Sequence, residues 1–260
     1  MMNVSRTKDA CHGRYSPQSL HWSMLQIILM VALFSFGLKQ PPVNVYLTFD
    51  DGPGPGSPQV YRLADSLKVK INLFVIGSRA LREDSIYQIF QYHRNDTFLL
   101  FGNHSYSHAG GHYKRYYSDP GSVLEDFDRN RDALGLDNHI ARLPGRNYWR
   151  LGWRIADDIA NGKETADSLA ARGYQVFGWD MEWRRDSLHN NTCLEMIGRL
   201  DKMVLNGWTF RPGYIVILFH DEEFEDAAFR TEVFKFINLV RNEKHYRIAH
   251  LTDYPVSLAN

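Results

Sequence analysis

Short apolar runs, each followed by an amphipathic stretch, constrain this chain more than any other feature of its sequence. They lie near residues 45–49, 72–76, 97–101, 139–143, 175–179, 214–219 and 246–251. Each has the length of a buried strand. Between them, stretches such as 57–68 and 227–241 repeat apolar residues at spacings of three and four, as amphipathic helices do. Asp119-Pro120-Gly121 is suited to open a helix and Ala171-Arg172-Gly173 to close one. Strand then helix, repeated along the chain, predicts a parallel α/β architecture. The expected form is a distorted or incomplete (β/α) barrel of about seven units, in preference to an open doubly wound sheet. A single domain over residues 41–260 accommodates the pattern, since no internal repeat, low-complexity tract or linker divides it.

Residues 1–40 read differently. Arg6, Lys8 and Arg14 precede an apolar run from Met24 to Phe36. That run is short of the roughly 20 residues a bilayer span needs and suits the apolar segment of a secretory signal. A signal peptide is expected, with an uncleaved membrane anchor as the alternative, and membrane contact arises only through the latter. Either places the domain outside the cytoplasm: secreted, periplasmic or in the cell envelope. The 30 basic and 30 acidic residues balance, so the basic footprint of a nucleic-acid binder is missing. With Cys11 in the leader and Cys193 alone beyond it, no disulfide framework or thiolate zinc cluster is available within the domain.

In a (β/α) barrel, chemistry gathers at the C-terminal ends of the strands. Asp50-Asp51, His104, Arg142, Asp180 and His220-Asp221 all stand there. The first pair lies in "LTFDDGPGPGSP". This loop is no phosphate cradle, because Pro53 and Pro55 offer no N–H and two carboxylates repel an anion. It suits a division of labour in which one carboxylate holds a cation and its neighbour accepts a proton. In "NHSYSH", His104 and His108 are four residues apart and in a helical turn would face one side. With Asp51 they make two nitrogens and one oxygen, the donor set of catalytic zinc but also of non-haem iron oxygenases.

"TFDDGP", "HSYSH", "RLPG", "WDMEW" and "ILFHD" occur in the order and at roughly the spacings of the polysaccharide deacetylases of carbohydrate esterase family 4, often called nodulation-protein-B-like. The chain resembles that family from about Val45 to Pro255. The resemblance implies metal-assisted hydrolysis of acetyl groups, N- or O-linked, on a polysaccharide or oligosaccharide. It implies one divalent ion, zinc first, with cobalt, manganese or nickel as alternatives. Asp50 matches the general base, Asp51, His104 and His108 the metal triad, and His220 the general acid. Arg142 matches the arginine that pairs with the base, and Asp180 or Glu182 the carboxylate that tunes the catalytic histidine. Two departures touch the substrate wall. Gly145 stands where the family commonly has an aromatic residue, so Tyr148 or Trp149 would have to supply that ring. The fourth motif is compressed to Asp180-Met181-Glu182-Trp183, with Trp183 a further candidate for the wall. Two alternatives remain: a non-catalytic carbohydrate-binding protein on the same fold, and a hydrolase of non-sugar C–N bonds.

Overall fold

The computed structural model describes residues 41–184 and 192–256; the expected leader lies outside them. The strands are β1 (Val43–Gly52), β2 (Ile71–Val75), β3 (Leu99–Asn103), β4 (Ile140–Ala141), β5 (Trp149–Leu151), β6 (Arg154–Ala156), β7 (Gln175–Val176), β8 (Met181–Glu182), β9 (Tyr214–His220) and β10 (Tyr246–Ile248). The helices are α1 (Ser57–Leu67), α2 (Gly77–Ala80), α3 (Asp84–His93), α4 (Tyr113–Tyr116), α5 (Pro120–Leu134), α6 (Lys163–Ala171), α7 (Cys193–Leu205) and α8 (Ala227–Asn242). One sheet runs in the order β6-β5-β7-β4-β3-β2-β1-β9-β8, and β10 joins the first half of β1. All pairings are parallel except those of β5 with β6 and β7. The fold is thus the expected incomplete α/β barrel.

The sheet must curl, because its inner face converges. The Tyr254 ring lies 5.2 Å from Tyr46 on β1 and 6.3 Å from Trp149 on β5, strands far apart in the sheet order. Alternation along β1 explains the layering. Val45, Leu47 and Phe49 face the helices in one apolar cluster, while Tyr46 belongs to the inner one. Thr48 and Asp50, next in the same register, meet Arg142. The expected helix signals are present: Asp119 accepts a hydrogen bond from Ser122 N–H at the start of α5, and Gly173 closes α6 at φ 88°.

The antiparallel β5–β6 hairpin and the short β8 were not expected. Strands of two or three residues carry no usable periodicity, and Arg150 and Arg154 break up their apolar signal. The tryptophan and tyrosine rings expected to wall the substrate are instead interior. Trp183 is fully buried against Phe219, Phe229 and Phe236. Trp149 stacks on Phe210 at 4.3 Å, and buried Tyr148 donates its hydroxyl to Ala160 O at 2.6 Å. The reason is packing: β8 and β9 need a large ring beneath α8, and the hairpin needs one on the inner face. None of the three rings presents a surface to a sugar.

Trp183→Ala should therefore cost stability. Removing so large a buried ring costs about 3–5 kcal/mol, or roughly 10 °C in Tm for a domain of this size. Thermal denaturation checks it, and lost glycan binding at unchanged Tm would return Trp183 to the substrate wall.

Candidate metal and hydrolytic site

A β-bulge builds the site. β1 pairs with β2 through Asp50 opposite Phe74 and Gly52 opposite Val75, so Asp51 is the extra residue. Its φ is 73°, a left-handed conformation rare outside glycine though better tolerated by Asp. On a regular strand, adjacent side chains point to opposite faces. Here the bulge turns Asp51 back, so both carboxylates approach His104: Asp50 Oδ2 at 3.6 Å and Asp51 Oδ1 at 3.4 Å from Nε2. Arg79, just beyond β2, donates from Nη1 to the Asp51 carbonyl oxygen at 2.7 Å and pins the bulge.

The two histidines meet without a helix. Ser105 and His108 both have positive φ, 64° and 52°, so the expected helical turn is replaced by a folded loop leaving β3. Its effect is the same convergence: His108 Nε2 lies 2.9 Å from Asp51 Oδ1. One atom from each of Asp51, His104 and His108 lies within 4.8 Å of the others. His104 is buried, and its Nδ1 lies 2.9 Å from the Arg142 carbonyl oxygen. That carbonyl accepts a hydrogen bond from Nδ1–H, which leaves the Nε2 lone pair aimed at the cluster.

The residues fit a cation. Asp51 Oδ1 is buried yet has no aligned hydrogen-bond partner, despite its closeness to both imidazoles. Burial pushes the Asp51 carboxyl up, but the two imidazoles override it and hold it well below the usual carboxylate range. Burial likewise lowers His104, and the charges of Asp50 and Asp51 more than reverse this. Two nitrogens and one carboxylate oxygen with an open side suit zinc-type coordination.

Asp50 is held separately. Arg142 is fully buried and donates Nη1 to Asp50 Oδ1 and to Thr48 Oγ1, each at 2.8 Å. Its Nε and Nη2 donate to the carbonyls of Phe177 and Gly178. Every arm of the guanidinium is satisfied, as burial demands.

His220 ends β9 in register with Asp50 on the neighbouring strand. Its Nδ1 is buried without a hydrogen-bond partner, and its Nε2 lies 3.4 Å from Arg184 Nη2. Of the two tuning candidates, Glu182 is the neighbour, with Oε1 4.0 Å from His220 Nε2 and paired to Arg184. Asp180 is occupied elsewhere: its oxygens accept the backbone N–H groups of Phe210 and Val216 at 2.6 and 2.8 Å. Burial pushes its carboxyl up to about 6.

Tyr113 and Arg79 were not anticipated, and Asp221, expected at the strand ends, shapes the Gly-Pro loop. Tyr113 seats its ring against Gly145, where a Cβ would come within 3.2 Å of it, and stands edge-on to His108 at 5.9 Å. No sequence signal marked it. Arg79 follows a strand end, the position that deserved inspection. Asp221, buried, takes the Ser57 hydroxyl, and its carbonyl so crowds Gly56 that a Cβ there would lie 1.8 Å away. This explains one glycine of the Gly-Pro loop. A cavity of about 520 Å³ adjoins Asp51, lined by Pro53, Pro55, Arg79, Arg82, Ile86 and Asp221 among others.

Arg79→Ala should release the bulge and weaken zinc binding by about tenfold, the scale of lost support behind a ligand. Calorimetric titration with zinc checks this, and unchanged affinity would show that β1 holds Asp51 unaided.

Comparison with known proteins gives a consistent answer. The family model for polysaccharide deacetylase matches residues 38–158, which hold Asp50, the three candidate ligands and Arg142 but end before His220. A chitin disaccharide deacetylase of Vibrio alginolyticus is 25% identical over 212 residues, covering 58% of this chain and 49% of the relative. The chain thus spans about half that relative's length. Among solved structures, a CE4 esterase of Streptococcus mutans superposes with a TM-score of 0.60 at 20% identity, covering 91% of each chain. The catalytic domain of a peptidoglycan N-acetylglucosamine deacetylase from Eubacterium rectale gives 0.59 at 20% identity, covering 86% of this chain and 95% of that one. Residues 38–158 thus match the polysaccharide deacetylase family model, and the domain shares the fold of the CE4 esterases.

Proposed function

We propose that this chain is a metal-dependent hydrolase that removes acetyl groups from a glycan outside the cytoplasm. One observation carries the reading: a cation-ready Asp51–His104–His108 cluster stands beside Asp50, which is in register with His220 on the next strand. A binding protein has no need of that juxtaposition.

Asp51, His104 and His108 would hold the ion, which when bound supplies an acidified water and a polarised acetyl carbonyl. Asp50, oriented by Arg142, takes the proton from the attacking water. His220 gives a proton to the departing sugar nitrogen or oxygen, so the tetrahedral adduct breaks towards products. Acetate leaves, and the sugar keeps a free amine or hydroxyl. Glu182 stands beside His220 and pairs with Arg184. The Gly145 loop borders the centre, and Tyr113, seated against Gly145, takes the place of the aromatic residue that the third motif lacks. Zinc is the ion that the donor set suits best.

The test is acetate release by the zinc-loaded chain from N-acetylglucosamine oligomers, peptidoglycan and acetylxylan. Metal-dependent release is expected, with Asp50→Asn keeping zinc affinity but losing about 1,000-fold in kcat, within the range of general-base catalysis. No release from any substrate by chain with bound zinc would reject the reading. His220→Gln should lose about 100-fold on sugar substrates but less than about tenfold on 4-nitrophenyl acetate, whose leaving group needs no proton. Equal losses on both would remove the general-acid role.

A further inference from the structure

The end of the barrel opposite the metal cluster carries its own pattern. Because β5 runs antiparallel to β7, the turn after it falls at the N-terminal ends of the parallel strands. That turn presents Trp153, 62% exposed. The segment leading from α7 into β9 reaches the same end and presents Trp208, 58% exposed, beside the exposed Leu205. Arg154 ties the two segments together: its Nη2 donates to Phe210 O at 3.0 Å, and its guanidinium lies over the rings of both Trp153 and Phe210. Lys202 lies over Trp208.

Cations outnumber acids on this end: Arg154, Lys202, Arg211, Lys244 and Arg247 stand against Glu243, Asp201 and Asp253, and of these acids Asp201 accepts the Tyr246 hydroxyl and Asp253 pairs with Lys70. Indole rings beside cations, facing outward, are the composition of a surface that meets lipid headgroups: the ring sits at the apolar boundary and the cation meets phosphate. The chain also enters the domain here. Val43 N–H donates to His245 O at 2.8 Å and Asn44 N–H to Gly213 O at 2.9 Å, so β1 begins between the two basic turns. The apolar run Met24 to Phe36 ends seven residues before Val43. No helix among the described residues is long and apolar enough to cross a membrane, so this face would lie on a bilayer without entering it deeply.

We propose that this tryptophan-and-cation face seats the domain on an anionic lipid bilayer. β1 carries ten residues from this face to the metal cluster, about 30 Å at strand rise. Seated so, the domain holds its site away from the membrane and open to glycan approaching from outside. The proposal stands independently of the acetyl-removal reading, because its readout needs no catalysis.

The test uses the full chain with phosphatidylcholine–phosphatidylglycerol vesicles whose acyl chains carry bromine, a short-range quencher of tryptophan. Wild-type fluorescence should be quenched. Trp153→Phe/Trp208→Phe should lose roughly half of that quenching or more, since the other rings are buried or, like Trp22, common to both proteins. Circular dichroism confirms that the variant is folded. Arg154→Glu/Lys202→Glu should also reduce quenching, as should vesicles of phosphatidylcholine alone. Equal quenching in wild type and the tryptophan variant would overturn the proposal. So would unquenched wild type sedimenting as a dimer that the variant cannot form, which would make the face a contact between two copies.

Discussion

Everything chemical in this domain depends on one extra residue in one strand. Without the bulge at Asp51, the two carboxylates of the opening motif would point to opposite faces of the sheet, and one of them would be driven under the helices. With it, both reach His104. The left-handed backbone at Asp51 costs of order 1–3 kcal/mol, and Ser105, His108 and Ala109 adopt positive φ in the facing loop. Such a concentration of unfavourable backbone in the two segments that supply the candidate ligands is the usual mark of structure held for function. Arg79 helps to offset it at Asp51 by capturing the carbonyl that the bulge turns out.

Arg142 performs the second task, and it does so with both halves of the residue. Its side chain orients Asp50, while its backbone carbonyl fixes the ring of His104. The candidate base and a candidate ligand are therefore registered to each other through a single residue. A fully buried guanidinium is costly unless each donor is met. Here Thr48, Asp50 and the carbonyls of Phe177 and Gly178 meet them, drawn from the segments of β1 and the end of β7. The stacking of Arg142 over Phe74 at 4.2 Å adds a contact from β2. The inner face of the barrel is thus joined across three strands at the height of the site.

Much of this was legible in the sequence, and the limits have physical causes. Burial of both faces makes parallel strands continuous apolar runs, so each of the longer strands announced itself, and the strand-end rule then pointed to Asp50, Asp51, His104, Arg142 and His220. Spacing misled in one place: a four-residue interval between histidines suggested a helical turn, whereas positive φ at Ser105 and His108 brings the rings together by a loop. Aromatic residues misled in another. A tryptophan that stacks on sugar and one that fills a core share a composition, and only the packing of Trp183 against Phe219, Phe229 and Phe236 separates them. Tyr113 illustrates the converse, since its place beside Gly145 comes from α4 folding over the third motif, a long-range event that no local pattern records. Arg79 lay at a strand end and was open to the same rule that found the others.

The two ends of the barrel also divide the chain's polar residues by physical role. At the C-terminal ends, buried charges are paired inside a closed network: Arg142 with Asp50, and Asp51 with both histidines. At the N-terminal ends, cations stand over exposed rings, a loose arrangement that keeps their charge available to a partner. A net charge of zero conceals this separation, because composition sums over positions that the fold holds far apart. Strand polarity is what sorts them. Parallel strands send all their C-terminal loops to one end and all their helix returns to the other, so a single topology supplies both a site rich in ligands and a face rich in cations.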